Sequence, residues 1–361
     1  MNLSPEARYA LVAANNSGPE AVVAFRRWQA LVDLDLLPGS HYPLLPLIYR
    51  TLDQNGIDHP WLPRLRGIYR KMWYANQLTL RTVAGVVDAI EANGVEPMVV
   101  DAAVLAPTVY SEPALRPIQP PALAVRTEDA GRAIDILRSL GWRAEPEAPH
   151  LLSAEYRRWT SGQRFANADK QSLWLGWHVT PALPCTEFDQ AIRRSSTALA
   201  LESTTVRTPC PADQLLTACL NAGNSNLIAF IDAAYLIESG AVTWPHLLEL
   251  AGQYRLSLAL VASLTTLDEI LDVTVPEAVL ADLRAIPVSD EERRVQHIAA
   301  MAPAGRGLRE RASWLLARYR HALACNGARP GAGSFVAFLQ HSNRLSSLWQ
   351  LPAVVATRLV R

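Results

Sequence analysis

The chain has 361 residues, half of them hydrophobic, which is ample for a large buried core in one domain or several. Its 34 basic and 34 acidic residues cancel, so no net charge favours nucleic acid as a partner. The sequence has no run of about 18 apolar residues that would span a membrane and no N-terminal signal peptide, so we expect a cytoplasmic protein. Its four cysteines lack a CxxC spacing, which fits a reducing compartment.

Residues 1–80 have the pattern of helices. Ser4 and the proline and glutamate after it form a good helix start, with serine as the cap and proline in the first turn. Apolar side chains then recur at helical spacing through residues 17–36, 43–55 and 62–76. We therefore predict an N-terminal helical segment over residues 1–80.

Residues 81–185 alternate between short apolar runs and helical stretches. The apolar runs are too short for helices, and the first of them is rich in valine, so we predict strands there. The predicted strands cover residues 96–100, 122–126 and 171–179, with 142–145 and 150–159 as further candidates. Helices are predicted at residues 80–93, 101–110 and 129–140. This alternation indicates a small mixed sheet with covering helices.

From residue 186 to the end, the apolar spacing is helical again. The predicted helices cover residues 212–221, 227–239, 244–254, 256–272, 276–285, 290–301, 308–325, 335–342 and 348–358. We therefore predict an α+β or α/β fold, with a small mixed-sheet core between N-terminal helices and a large helical C-terminal domain over residues 186–361. From Pro303 onwards, nine arginines against one acid leave a net charge of +8, which indicates a solvated helical face or a surface for an acidic partner.

One stretch of the predicted core has a distinctive order of residues. An Ala-rich helix ends in tyrosine, a turn with proline and arginine follows, and a short apolar strand comes next. The matching positions are Tyr110, Pro113, Leu115, Arg116, Pro117, Leu123 and Val125. Gly141, the strand at Trp174 and the helical Asp232 continue the pattern. In these features the chain resembles an uncharacterised family of bacterial nucleotidyltransferase-like proteins, over roughly residues 20–290.

The resemblance implies a nucleotidyltransferase fold whose active members hold two metal ions with three carboxylates. Two of these carboxylates stand at i and i+2 on one strand, which places both on one face, and the third stands on a neighbouring strand. In this chain the corresponding positions are Pro120, Ala122 and Trp174, whose side chains offer no oxygen to Mg²⁺. We therefore expect a degenerate member with no bound metal, no cofactor and no nucleotidyl transfer.

The altered cleft has lost its acidic side chains. Strand alternation puts these residues on its surface: Pro120, Ala122, Ala124, Arg126, Trp174, Gly176 and His178. The candidate ligand-binding residues are Arg116, Trp174, Arg126 and Tyr110, and the candidate catalytic residues are His178 and Asp101. Ordinary structural roles are the alternatives: aromatic packing, a hydrogen-bonded histidine, a helix cap at Asp101, or an ion pair between Asp101 and Arg116.

Three functions fit this sequence. The leading one is a catalytically degenerate protein that binds a small molecule, a peptide or a partner protein, through the altered cleft or the basic C-terminal helices. The second is a repurposed, metal-independent enzyme, an acid–base cyclase or isomerase of an apolar substrate, for example in secondary metabolism. The third is a residual nucleotidyltransferase that uses other carboxylates. Neither nucleic acid nor a membrane span is expected.

Overall fold

A computed structural model describes residues 3–15, 18–147, 149–222 and 226–290, and shorter stretches between residues 292 and 350. Most of the basic C-terminal residues lie outside the described residues. So do large parts of the helices predicted at residues 290–301, 308–325 and 348–358. The described structure is a mixed α/β fold with helices towards both chain ends, as predicted. None of the described helices combines the length and the apolar character that crossing a membrane requires.

The chain forms two compact units and passes between them several times. The helical unit consists of Met1–Thr82, Asp101–Gln119 and Cys210–Glu292. The sheet unit consists of Val83–Val100, Pro120–Pro209 and Arg293–Arg361. The three consecutive segments that the sequence suggests, 1–80, 81–185 and 186–361, stay a prediction.

The described helices follow one another in chain order through both units. They are α1 (Pro5–Asn15), α2 (Pro19–Gln29), α3 (Leu45–Gln54), α4 (Leu62–Ala92), α5 (Ala102–Thr108), α6 (Ala130–Ser139), α7 (Ala154–Trp159), α8 (Thr186–Arg194), α9 (Pro211–Ala222), α10 (Leu227–Glu238), α11 (Trp244–Tyr254), α12 (Ser257–Leu271), α13 (Glu277–Ala285) and α14 (Ala332–Ser342). Both α1 and α2 begin with proline, whose fixed φ suits the first turn. The buried faces of α1, α2, α3, α5 and α9 to α13 contribute to the core of the helical unit.

Helix α4 is one continuous helix, whereas the sequence predicted two, at residues 62–76 and 80–93. Residues 77–79 contain neither glycine nor proline, so nothing interrupts the hydrogen bonds between the two predicted parts. The two-helix prediction was therefore wrong. The division between the two compact units falls inside this helix, after Thr82.

All described strands belong to the sheet unit. They are β1 (Met98–Val100), β2 (Ala122–Ala124), β3 (Arg143–Ala144), β4 (Gly162–Ala166), β5 (Ser172–Gly176), β6 (Thr197–Leu201) and β7 (Thr204–Thr208). Their order in the sheet is β3-β4-β5-β2-β1-β7-β6. The pairs β2–β5 and β1–β7 are parallel and the other pairs are antiparallel, which confirms a mixed sheet.

One predicted strand was wrong, and one hairpin was not predicted. Residues 150–159 are not a strand: Ser153 caps α7 by accepting a hydrogen bond from the Tyr156 N–H at 3.1 Å, and a helix follows. Tyr156 and Trp159, three residues apart, then share one buried helical face. The region after residue 186 is not purely helical, because β6 and β7 form an antiparallel hairpin at one edge of the sheet.

Candidate functional site

The three positions that the resemblance assigns to metal-binding carboxylates come together where β2 begins beside the parallel strand β5. Ala122 on β2 and Trp174 on β5 are direct partners in the register, and Pro120 lies two residues before Ala122. The Trp174 N–H donates to the carbonyl oxygen of Pro121 at 2.8 Å, which fixes this register. Direct partners present their side chains on one face of a sheet. The face therefore carries proline, alanine and tryptophan, and none of these side chains suits Mg²⁺.

Trp174 is held by a glycine on the neighbouring strand. A β-carbon at Gly162 would lie 2.7 Å from two atoms of the Trp174 ring and 2.6 Å from the carbonyl oxygen of Leu175. Real contacts are never this close, so only glycine fits there. The ring thus packs over the glycine while part of Trp174 stays exposed. This arrangement offers an apolar, partly open surface where the resemblance places a metal ligand.

His178 lies inside the sheet unit and has a carboxylate partner. Only 4% of its surface is exposed. Its Nδ1 donates to Oδ2 of Asp189 at 2.6 Å, and Oδ1 of the same carboxylate accepts the Val179 N–H at 2.8 Å. Asp189 thereby links the end of the β5 segment to the first turn of α8. The sequence singled out His178 but not Asp189. The available signal was the place of Asp189 between the apolar Phe188 and Ile192 in the amphipathic pattern of α8.

Three further candidate residues, Tyr110, Asp101 and Arg116, meet in the helical unit around Asp232 on α10. Arg116 holds both oxygens of Asp232, with Nε–Oδ1 at 2.7 Å and Nη2–Oδ2 at 2.8 Å. Its Nη1 donates to the carbonyl oxygen of Pro117 at 2.8 Å, and its Nη2 also lies 3.2 Å from Oδ1 of Asp101. The Tyr110 hydroxyl donates to Oδ1 of Asp232 at 2.7 Å. Sequence reasoning found three of these residues and missed the central role of Asp232.

Burial and charge set the protonation of this network. Burial raises the pKa of the Tyr110 phenol well above its usual value, and the charge of Asp232 raises it further. Burial would lower the pKa of Arg116, but Asp232 more than offsets this and the pKa is raised. Four of the five N–H groups of Arg116 have partners. Arg116 is therefore permanently charged, and its guanidinium group binds other residues of the same chain.

Asp101 joins β1 to α5 in an unusual backbone conformation. Its φ of 59° and ψ of −139° lie in a region that residues other than glycine rarely adopt. Its side chain makes no capping hydrogen bond to α5, so the cap expected as one alternative is not formed. The surrounding protein raises the pKa of its carboxyl group by desolvation, although half of the side chain is exposed, and the nearby Arg116 acts in the opposite direction. The observed partner of Asp101 is Arg116.

Arg126 belongs to an arginine-rich cavity of the sheet unit, with a volume of about 510 Å³. The residues that line it are Arg126, Thr127, Glu128, Thr186, Asp189, Gln190, Arg193, Arg194 and Arg207. Arg126 pairs with Glu96 at 3.0 Å, and Arg193 donates to the Ala124 carbonyl oxygen at 3.0 Å. Within the described part of the chain, the side chains of Arg194 and Arg207 form no hydrogen bond or ion pair. The cavity therefore has two arginines available for an anion.

A second cluster of chemically active side chains lies in the helical unit. Cys210 directly precedes α9, Asp213 lies in its first turn, and His246 lies near the start of α11. Nε2 of His246 is 2.8 Å from Oδ1 of Asp213, and the ligand atoms of all three residues lie within 4.8 Å of one another. Mainly because of burial, and despite backbone hydrogen bonds, the pKa of the Cys210 thiol is raised to about 11. Sequence spacing gave no metal motif, because the residues come from two separate helices.

Comparison with known proteins gives one match. A family model described as an uncharacterised nucleotidyltransferase matches residues 40–272, which is more than half of the chain. No curated protein and no solved structure matches the chain. The matched region contains β1 to β7, the Arg116–Asp232 network and the arginine-rich cavity.

Proposed function

The chain belongs to the uncharacterised nucleotidyltransferase family, and from this premise we propose that it has lost nucleotidyl transfer and binds a ligand on its altered sheet. The register between Ala122 and Trp174 carries the proposal. It brings together the positions where active members would hold metals, and no carboxylate stands at any of them. Without metal ligands, the site lacks the two metal ions that offset the charge developing on a transferred phosphoryl group.

The surface around Trp174 suits an apolar or aromatic group. Arg207, paired with Met98, lies on the same face of the sheet as Ala122 and Trp174, because register partners share a face. Three strand spacings separate β5 from β7, which corresponds to roughly 14 Å. We therefore place on this face an amphipathic small molecule with an apolar part near Trp174 and an anionic group in the arginine-rich cavity.

The acid–base alternative has less support. His178 is bonded to Asp189 and hardly exposed, so a substrate would reach it only after a rearrangement. Asp101 and Arg116 are paired with each other, and Arg116 also holds Asp232. These residues are engaged in ion pairs of the protein itself. A partner protein at the basic C-terminal end stays a prediction, because that end lies largely outside the described residues.

Thermal stability with and without millimolar MgATP or MgCTP tests the loss of nucleotidyl transfer. A ligand at a hundred times its dissociation constant stabilises the native state by about 2.7 kcal/mol, which moves the unfolding midpoint by a few degrees. We expect no Mg²⁺-dependent shift with either nucleotide. A shift that requires Mg²⁺ would contradict the proposal and favour the residual nucleotidyltransferase.

The same assay tests the ligand class with a panel of amphipathic carboxylates and phosphate monoesters. A hit should bind about ten- to a hundredfold more weakly to Arg207→Gln, since a hydrogen bond to a charged group contributes about 1.5–3 kcal/mol. Arg143→Gln is the matched control, because Arg143 is an exposed arginine of the same sheet that does not line the cavity. Equal weakening in both variants would show that only overall charge matters.

A further inference from the structure

The cluster of Cys210, Asp213 and His246 has no part in the proposed function. It lies in the helical unit, where the start of α9 meets the start of α11. Among the residues that the structure describes, it is the only group of three or more histidine, cysteine and acidic side chains close enough to share one metal ion. Its carboxylate, on Asp213, has no exposed surface. The side chain of His246 is 26% exposed.

The donor atoms fit one class of cation. A thiolate, an imidazole nitrogen and a carboxylate oxygen are the three ligand types that proteins use for zinc, whereas Mg²⁺ and Ca²⁺ prefer oxygen alone. A tetrahedral zinc site needs about 3.3 Å between nitrogen and oxygen ligands and about 3.6 Å from either to sulfur. Here Nε2 and Oδ1 are 2.8 Å apart, and the widest separation is within 4.8 Å. Small side-chain rotations therefore suffice to close the site.

A cation would also improve the local electrostatics. The thiol of Cys210 accepts hydrogen bonds from backbone N–H groups at the start of α9, as the residue before a helix does. Serine or aspartate at this position would accept the same hydrogen bonds, so they do not explain why the residue is a cysteine. A dication offsets the charge of the buried Asp213 carboxylate and of a Cys210 thiolate together. Because Cys210 and His246 are partly exposed, an ion can enter, and water can take a fourth position.

We propose that Cys210, Asp213 and His246 form a three-ligand site for a zinc-class dication that connects α9 to α11. The site consists of residues outside the altered sheet. Its test is therefore independent of the ligand proposed for that sheet. Three protein ligands with an open fourth position are the arrangement of zinc sites that bind water or a small molecule.

Cobalt substitution tests the site in the full-length, chelator-treated, reduced protein. Addition of Co²⁺ should produce the near-ultraviolet sulfur-to-cobalt charge-transfer band and the strong visible bands of four-coordinate cobalt, and Zn²⁺ should remove both. Cys210→Ser should lose the charge-transfer band. His246→Ala should bind Co²⁺ at least about a hundredfold more weakly, more than the loss of an outer-shell partner costs.

Cys219 provides the control, because it is a thiol within α9 and lies outside the cluster. Cys219→Ser should keep the charge-transfer band, with cobalt affinity unchanged. If Cys210→Ser fails to fold, thiol alkylation of the wild-type chain decides: Zn²⁺ should protect Cys210, as identified by peptide mapping. The absence of cobalt bands in the folded wild type, or bands that persist in Cys210→Ser, would overturn the proposal.

Discussion

At the scale of single residues, Arg116 and Asp232 form a buried ion pair in the helical unit. Both carboxylate oxygens are held by the guanidinium group, and Tyr110 donates a third hydrogen bond. Loss of one partner leaves the other charge buried and uncompensated. We therefore expect Asp232→Asn to lower the free energy of unfolding by about 3–5 kcal/mol, as measured by urea denaturation.

An exposed pair of the same chemistry is the control for this prediction. Arg64 and Asp35 are 2.6 Å apart, but half or more of each side chain is in contact with solvent. Exposed pairs contribute only about 0–1 kcal/mol, so Asp35→Asn should change stability little. If the two variants lose similar amounts, burial does not determine the strength of the Arg116 pair.

The sequence predicted some members of this network but not their arrangement. Tyr110 and Arg116 were candidates because they match the family pattern, Asp101 was a candidate catalytic residue, and an ion pair between Asp101 and Arg116 was one alternative. Asp232 is 116 positions from Arg116, and only the packing of α10 brings them together. An acid inside an apolar helix is a signal that a buried cation must be nearby, although it does not say which one.

At the scale of secondary-structure elements, the contact between Trp174 on β5 and Gly162 on β4 fixes the shape of the altered face. A methyl group at Gly162 would meet both the indole ring and the Leu175 carbonyl oxygen at under 3 Å. Moving the backbone of a central strand would break hydrogen bonds of the sheet. We expect Gly162→Ala to lower the free energy of unfolding by about 1–3 kcal/mol, as overpacking does, and to reduce ligand-induced thermal shifts.

Gly85 in α4 is the matched control for that substitution. A β-carbon at Gly85 would meet nothing within 4 Å, and the residue lies in the interior of a helix. Alanine is favoured over glycine there by about 0.5–1 kcal/mol, so Gly85→Ala should stabilise the chain. Opposite signs for the same chemical change would locate the effect in the packing of the sheet; two destabilised variants would argue against it.

Elements were predicted well where apolar periodicity is strong. The buried strands β1, β2 and β5 were found, because their apolar runs are short and bounded by turns. The β6–β7 hairpin was missed because half of its strand residues are exposed, β6 consists of threonine, alanine and leucine, and the turn at Glu202 lies in the left-handed region (φ 54°). The two strands are held by their backbone hydrogen bonds to each other rather than by a hydrophobic pattern. A single sequence does not show such pairing.

At the scale of the whole molecule, the formal net charge is zero, so general charge repulsion does not determine stability near neutral pH. Individual buried groups determine how stability depends on pH. His41 is 4% exposed and stacks on Trp28, with ring centroids 6.2 Å apart. Among the described residues its Nε2 has no hydrogen-bond partner. Burial lowers the pKa of His41, and the charge of Glu6 opposes this only in part.

The sign of the resulting pH dependence follows from proton linkage. The unfolded chain protonates His41 near its ordinary pKa of about 6.5, whereas the native state binds that proton only at lower pH. The stability is therefore complete above about pH 6.5 and is lost as the pH falls towards the native pKa. His41→Phe should flatten the decline in the free energy of unfolding between pH 7 and 5. Because packing changes are the same at every pH, an unchanged slope would exclude His41 as the acid-sensitive group.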